Sequence, residues 1–155
     1  MVEYNFDEFI QRLEELQADI QAAGKRVTDR AIQEGKREAK DKTPTGKYTD
    51  KVFFMTRAGE QVHFITSFTK QGGTLKKGWH SHRTKREGDG WKGEFYNNVF
   101  YGPYVNFGHR IVRNGVTIGY VPGKFFFNAG VAFMENHLQQ YWKEEVEKAK
   151  RKFEK

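Results

Sequence analysis

Apolar positions recur at spacings of three and four from the start of the chain: Phe6, Phe9, Ile10, Leu13, Leu16 and Ile20, followed by Val27 and Ile32. This spacing lines one face of an α-helix and predicts an amphipathic helix over about 6–41. Asn5 is placed to cap it, with Glu8 reaching back from the third helical position and Tyr4 packing on Phe9 across the cap. Thr43-Pro44-Thr45-Gly46 ends it. Gly24 and Gly35 each weaken such a helix by roughly 1 kcal/mol relative to alanine, so they mark a bend or the close approach of another element. Residues 34–42 are almost all charged or small and face solvent or a partner.

From residue 51 the period shortens. Val52-Phe53-Phe54-Met55-Thr56 and Val62-His63-Phe64-Ile65-Thr66-Ser67-Phe68 are β-rich runs around a glycine-containing turn, which predicts a hairpin over about 51–69. Residues 74–80 read as a short strand, 81–90 as a polar loop and 91–101 as a further strand. Asn114-Gly115, set between Ile111-Val112 and Val116, Ile118 and Tyr120, supplies the positive φ angles of a type I′ turn and makes 109–121 a hairpin. After Pro122-Gly123 comes the stripe of a second long helix, over about 124–153: Phe127, Val131, Met134, Leu138, Tyr141, Trp142, Val146, Ala149 and Phe153. Its basic last turns complement the helix dipole. Helix, strands, helix predicts a single α+β domain over 1–155. Its long N- and C-terminal helices pack on a small antiparallel sheet (about 74–121) with an inserted hairpin.

Length and composition set outer limits. A chain of 155 residues is long enough to bury one hydrophobic core. It has no cysteine, which removes disulfides, thiol nucleophiles and thiolate metal sites. Residues 1–15 lack the basic start and apolar run of a signal peptide, and no stretch has the apolar length of a membrane span, so a soluble protein that starts in the cytosol is expected. The 14 Phe, 7 Tyr and 3 Trp exceed what one small core needs, and aromatic residues are enriched in protein interfaces. Lysine and arginine outnumber aspartate and glutamate by 27 to 20. The excess is densest over 70–92, in Lys70, Lys76, Lys77, Arg83, Lys85, Arg86 and Lys92. Such a run faces DNA, an acidic partner or only solvent, and Trp79 and Trp91 on its flanks are able to stack on bases.

No convergent catalytic set is legible. His80 and His82 alternate as two ligands on one strand face would, but no carboxylate at a telling spacing completes a metal site. His109 follows Phe107-Gly108 and has only tyrosine hydroxyls nearby, which are poor nucleophiles at neutral pH. Gly72-Gly73-Thr74-Leu75-Lys76-Lys77 lacks the spacing of a phosphate loop. No zinc-finger, helix-turn-helix or RNA-recognition pattern is present. Catalytic, cofactor and metal sites are therefore not expected, nor is a small-molecule substrate.

Four ordered segments carry a resemblance. They are Thr43-Pro44 at the end of the first helix; Gly73-Thr74-Leu75-Lys76-Lys77-Gly78-Trp79; Asn97-Asn98 with Tyr101-Gly102-Pro103-Tyr104-Val105-Asn106-Phe107-Gly108-His109; and Val121-Pro122-Gly123-Lys124-Phe125. In order and spacing they resemble the small tail-completion or neck proteins of long-tailed bacteriophages, often described as minor tail or head-tail joining components. One departure is that 28 residues, 45–72, separate the Thr-Pro from the Gly-Thr-Leu segment, where the family has almost none; they hold the inserted hairpin. The resemblance implies a virion structural protein, not an enzyme. It would form a hexameric ring that joins or seals head and tail, and would be assembled in the host cytoplasm. Its partners would be copies of itself, head-closure or connector proteins, and tail tube or terminator proteins, with passing contact to genomic DNA.

Pro44, Leu75, Trp79, Tyr101, Tyr104, Val105, Phe107, Gly108, Pro122 and Phe125 would serve as core or interface. The tyrosine-rich stretch itself reads as a tight turn or short helix pinning a strand to the last helix, with a bend at Gly108. Phe53, Phe54, Phe64 and Phe68 are the candidate inter-subunit residues of the hairpin. Lys76, Lys77, Arg83, Lys85 and Arg86 are the candidate contacts to DNA or an acidic partner. A nucleic-acid-binding accessory protein using 70–92 is the alternative.

Overall fold

A computed structural model describes residues 5–46, 51–55, 59–65 and 72–154. Their elements run α1 (Phe6–Lys42), β1 (Lys51–Met55), β2 (Gln61–Ile65), α2 (Thr74–Lys77), β3 (Trp79–Ser81), β4 (Lys85–Glu87), β5 (Gly90–Lys92), β6 (Phe95–Asn97), α3 (Gly102–Phe107), β7 (Gly108–Arg113), β8 (Val116–Pro122) and α4 (Phe126–Phe153). The class is α+β. The strands do not merge into one sheet. Among the described residues they form separate antiparallel pairs, β1 with β2, β3 with β6, β4 with β5 and β7 with β8.

α1 starts where the Asn5 side chain accepts the Glu8 backbone N–H at 3.4 Å, satisfying one of the orphan donors of the first turn. The Tyr4 packing expected across this cap lies outside the described residues. α1 stops because a residue before proline is driven out of the helical region, and Thr43 is extended (φ −66, ψ 123) ahead of Pro44.

α4 lies antiparallel along α1. Gly130 meets Gly35 and Ala39, Tyr141 reaches Glu34, Glu145 reaches Arg26, and Lys152 reaches Asp19. Where Gly35 faces Gly130 the two backbones touch. A Cβ built on Gly130 would sit 2.5 Å from the Gly35 carbonyl oxygen and 2.7 Å from the Ala39 Cβ, so no larger residue fits without separating the helices. Gly24 is covered by a side chain instead, since a Cβ there would lie 2.8 Å from the Trp91 ring. The core has two clusters along this helix pair. Ile32, Ala39, Leu75, Trp79, Phe95 and Phe126 form one; Val27, Ala31 and Tyr141 form the other, and Met134 packs on both.

A polar ladder closes the exposed side. The Tyr141 hydroxyl donates to Glu34, and the Arg30 guanidinium lies 3.9 Å over the Tyr141 ring. Arg30 also donates to Glu144 at 2.6 Å and to Glu34 at 3.1 Å. Arg26 and Lys148 donate to the buried Glu145 at 2.6 and 2.5 Å. Glu34 is held below the usual carboxylate range by the Tyr141 hydrogen bond first and by Arg30 after it, against the opposing pull of burial. Glu145 is lowered by Lys148 and then Arg26.

Three local expectations are corrected. Residues 74–80 are not one strand: Thr74–Lys77 is a helical turn, entered through Gly73 at φ 99, and only Trp79–Ser81 is extended. The polar loop expected over 81–90 contains β4 and the start of β5, a small hairpin turned at Gly88 (φ 59). The strand expected over 91–101 is split between β5 and β6 and gives way to a turn before α3.

Gly130→Leu should force α1 and α4 apart and cost about 1–3 kcal/mol as an overpacked contact, read as a lower urea midpoint; an unchanged midpoint would sink the backbone-contact account. A carboxylate whose folded-state pKa is lowered contributes stability above its unfolded value, about 4.3 for glutamate, and loses it as pH falls through the folded value. The urea midpoint should therefore drop on acidification below that value, and Glu34→Gln should flatten the drop.

Candidate assembly surface

The four motif segments are joined in space by side-chain and backbone hydrogen bonds. The Trp79 indole N–H donates to the buried Thr43 hydroxyl at 2.9 Å, and that hydroxyl donates to the Ala39 carbonyl at 2.6 Å. The end of α1 is thereby fixed to the strand after α2. Asn97 donates to the Leu75 carbonyl at 2.7 Å and accepts the Val99 N–H at 3.0 Å, which ties α2 to the end of β6. Asn106 is buried and accepts the Phe127 N–H at 2.9 Å while donating to Asn128 at 2.9 Å. It thus caps α4 from a distant stretch of chain, where the adjacent Phe125, at φ 50, makes no side-chain cap. The Lys124 and Phe125 N–H groups donate to the Val105 and Asn106 carbonyls at 3.0 and 2.9 Å.

These ties leave room for the backbone alone at Gly108. Its φ is 82, and an added Cβ would meet the Val121 carbonyl oxygen at 2.4 Å. The base of the β7–β8 hairpin is consequently clamped between α3 and the start of α4. Asn114 and Gly115 turn its tip with φ 50 and 79.

The named motif residues divide by burial. Leu75 and Trp79 are core; Trp79 packs on Phe95, edge-on to Phe126 and stacked on Phe127. Tyr101 and Val105 pack against that cluster from its edge, and Pro44 is half-buried. Tyr104, Phe107 and Phe125 are exposed, at 58%, 61% and 54%, and Pro122 is exposed as well. An apolar cavity of about 290 Å³ opens beside Phe107, walled by Trp79, Phe95, Tyr96, Phe126 and Phe127. The hairpin adds Ile111, Val112, Val116, Ile118 and Tyr120, all exposed. α3, the hairpin and the entry to α4 thus all carry exposed aromatic and aliphatic side chains. Exposed apolar surface of this kind is a candidate interaction site.

The basic residues do not form one patch. α2, carrying Lys76 and Lys77, sits by the end of α1 through the Trp79–Thr43 bond, whereas the Trp91 indole N–H donates to the Gln21 carbonyl at 3.0 Å. These anchor points are separated by roughly 33 Å of helix. Arg83, Lys85 and Arg86 do gather around β4–β5, lining a concavity of about 330 Å³ with His82 and Lys92, but Glu87 and Glu94 share it. Lys92 pairs with Glu87 at 3.3 Å. Lys70 lies outside the described residues.

His82 stacks on Tyr96, His80 lies tilted beside the same ring, and His109 lies edge-on to Tyr104. Among the described residues no three histidine, aspartate or glutamate side chains gather as a metal site would need. No helix among them is long and apolar enough to cross a membrane. Strands β1 and β2 pair from Lys51 opposite Ile65 to Met55 opposite Gln61. The Phe53, Phe54 and Phe64 side chains and the whole of Phe68 lie outside the described residues. Asn106 was missed by sequence reasoning as a structural key, although a lone amide inside Tyr104-Val105-Asn106-Phe107 is the signal that could have found it.

A family model, HK97-gp10-like, described as "Bacteriophage HK97-gp10, putative tail-component", matches residues 7–108. The match spans α1 to the base of the hairpin and takes in the first two motif segments and the third up to Gly108. No curated protein and no solved structure matches the chain.

Asn106→Ala strips the acceptor from the Phe127 N–H and the partner from Asn128. Leaving buried groups unpaired costs about 1–3 kcal/mol, so its thermal midpoint should fall clearly, and a wild-type midpoint would refute the capping role.

Proposed function

The chain belongs to the HK97-gp10-like family of phage tail components, and from that premise we propose that it is a virion subunit forming a ring that joins or seals the head-tail interface. The observation that carries this reading is the family match over 7–108. The fold supports it, because Tyr104, Phe107 and Phe125 are motif residues that the monomer leaves uncovered. A ring of copies, hexameric to match a tail tube, buries such surface. Head-closure or connector proteins on one side and tube or terminator proteins on the other are its proposed neighbours. The work is mechanical and needs no cofactor, and the subunit passes from the host cytoplasm into the virion.

The nucleic-acid alternative keeps one supporting observation, the convergence of Arg83, Lys85 and Arg86 on a single concavity. A position facing the channel through which DNA passes accommodates both readings.

Replacing Tyr104, Phe107 and Phe125 together by serine should change the monomer's stability little, since exposed positions usually contribute within about 0.5 kcal/mol each. Phage carrying the triple variant should nevertheless accumulate unjoined heads and tails in electron micrographs. Wild-type joining, or absence of the chain from purified virions by mass spectrometry, would overturn the proposal.

A further inference from the structure

A second apolar surface lies at the other end of the helix pair. Phe6, Phe9, Ile10 and Leu13 share one face of α1 and are exposed, Phe6 at 70%. α4 stops short of Phe6, Phe9 and Ile10, since its end, at Lys152 and Phe153, reaches the level of Arg12 to Asp19, where Leu13 stays 40% exposed. Both ends of the molecule therefore carry uncovered apolar side chains, the α1 stripe at one and the β7–β8 hairpin at the other.

Their charges are opposite. Residues 108–125 contain Arg110, Arg113 and Lys124 and no carboxylate. Residues 6–15 contain Asp7, Glu8, Glu14 and Glu15 against Arg12 alone. At helical spacing Asp7 and Glu14 stand three and four positions from Ile10, bordering the stripe.

One chain cannot join its own two surfaces. Phe126 lies one turn before Gly130, beside the end of α1, so the hairpin base is about 45 Å from Leu13 along the helix axis. The six-residue strand β7 reaches only about 20 Å.

We propose that the β7–β8 hairpin of one copy docks on the Phe6-Phe9-Ile10-Leu13 stripe of the next, as the repeating contact of the assembly. The inference deepens the ring reading and rests on it. Two different patches at opposite ends make a heterologous contact, which closes into a ring when the rotation per subunit allows. The apolar side chains supply the burial, while the arginines against the acidic border set the direction and exclude hairpin-to-hairpin pairing.

The absence of native cysteine makes the test clean. Ile118→Cys and Ile10→Cys variants of the full chain are mixed and treated with a short bismaleimide, and Tyr120→Cys with Leu13→Cys provides a second register. Cross-linked dimers should form in each mixture and not in any single variant alone, and should diminish with Arg110→Glu and Arg113→Glu introduced into the hairpin partner. Dimers of a hairpin variant with itself, or no cross-link in either mixture, overturn the docking. Native mass spectrometry of the wild-type chain separates the two failures: a ring without these cross-links rejects this contact and leaves the ring reading standing, whereas a chain that neither cross-links nor assembles rejects both.

Discussion

Where α1 crosses α4, Gly35 and Gly130 have no side chains to hold the helices apart, and the rest of the fold depends on that approach. With Gly130 against the Gly35 carbonyl and Ala39, the helix backbones set the separation themselves. Only at that separation does Tyr141 reach Glu34 with its hydroxyl, and only then does Arg30 both cover the Tyr141 ring and bond Glu144. The same approach positions Phe126 beside Trp79. Two glycines inside long helices carry an intrinsic helix penalty; the packing they permit offsets it, and polar rungs along the flank then fix the register of one helix on the other.

From this helix pair outward, structure is held by single polar side chains. Thr43 receives Trp79, Asn97 receives Val99 and holds Leu75, and Asn106 receives Phe127. Apart from the local Asn97–Val99 bond, each joins segments distant in sequence, and all are buried or partly so, where a lost partner costs more than it does at the surface. This explains why the motif reads as scattered short pieces. A threonine, a tryptophan and two asparagines must be present at fixed places, while the strands between them can be short and need no common sheet.

Much of the architecture was legible because its signals are long or chemically specific. α1 and α4 show helical periodicity over many turns, and Asn114-Gly115 admits few conformations besides a tight hairpin turn. The α2 turn was not legible: Thr74-Leu75-Lys76-Lys77 is too short to display a period, and its lysines alternate with nothing. The basic run over 70–92 suggests one patch only if neighbours in sequence are also neighbours in space. Trp79 and Trp91, pinned to different stretches of α1, hold its two ends apart. The division of the tyrosine-rich motif into covered and uncovered members was not legible either. Tyr101, Tyr104 and Phe107 look alike as letters, and only the clamped base of the hairpin decides which of them face outward.

The contacts between α1 and α4 also join residues very far apart along the chain: 114 positions between Arg30 and Glu144, 119 between Arg26 and Glu145, and 133 between Asp19 and Lys152. Ribosomes release the chain from its first residue, so α1 emerges long before the helix that covers it has been translated. Until then Val27, Ala31 and Ile32 have no α4 to pack on, and it is such packing that supplies most of a protein helix's stability. Folding that must wait for such distant partners is slow and exposes apolar surface meanwhile. During synthesis the nascent chain therefore presents an apolar helical face to whatever chaperone or neighbouring chain is at hand, and the native state is out of reach until α4 has left the ribosome.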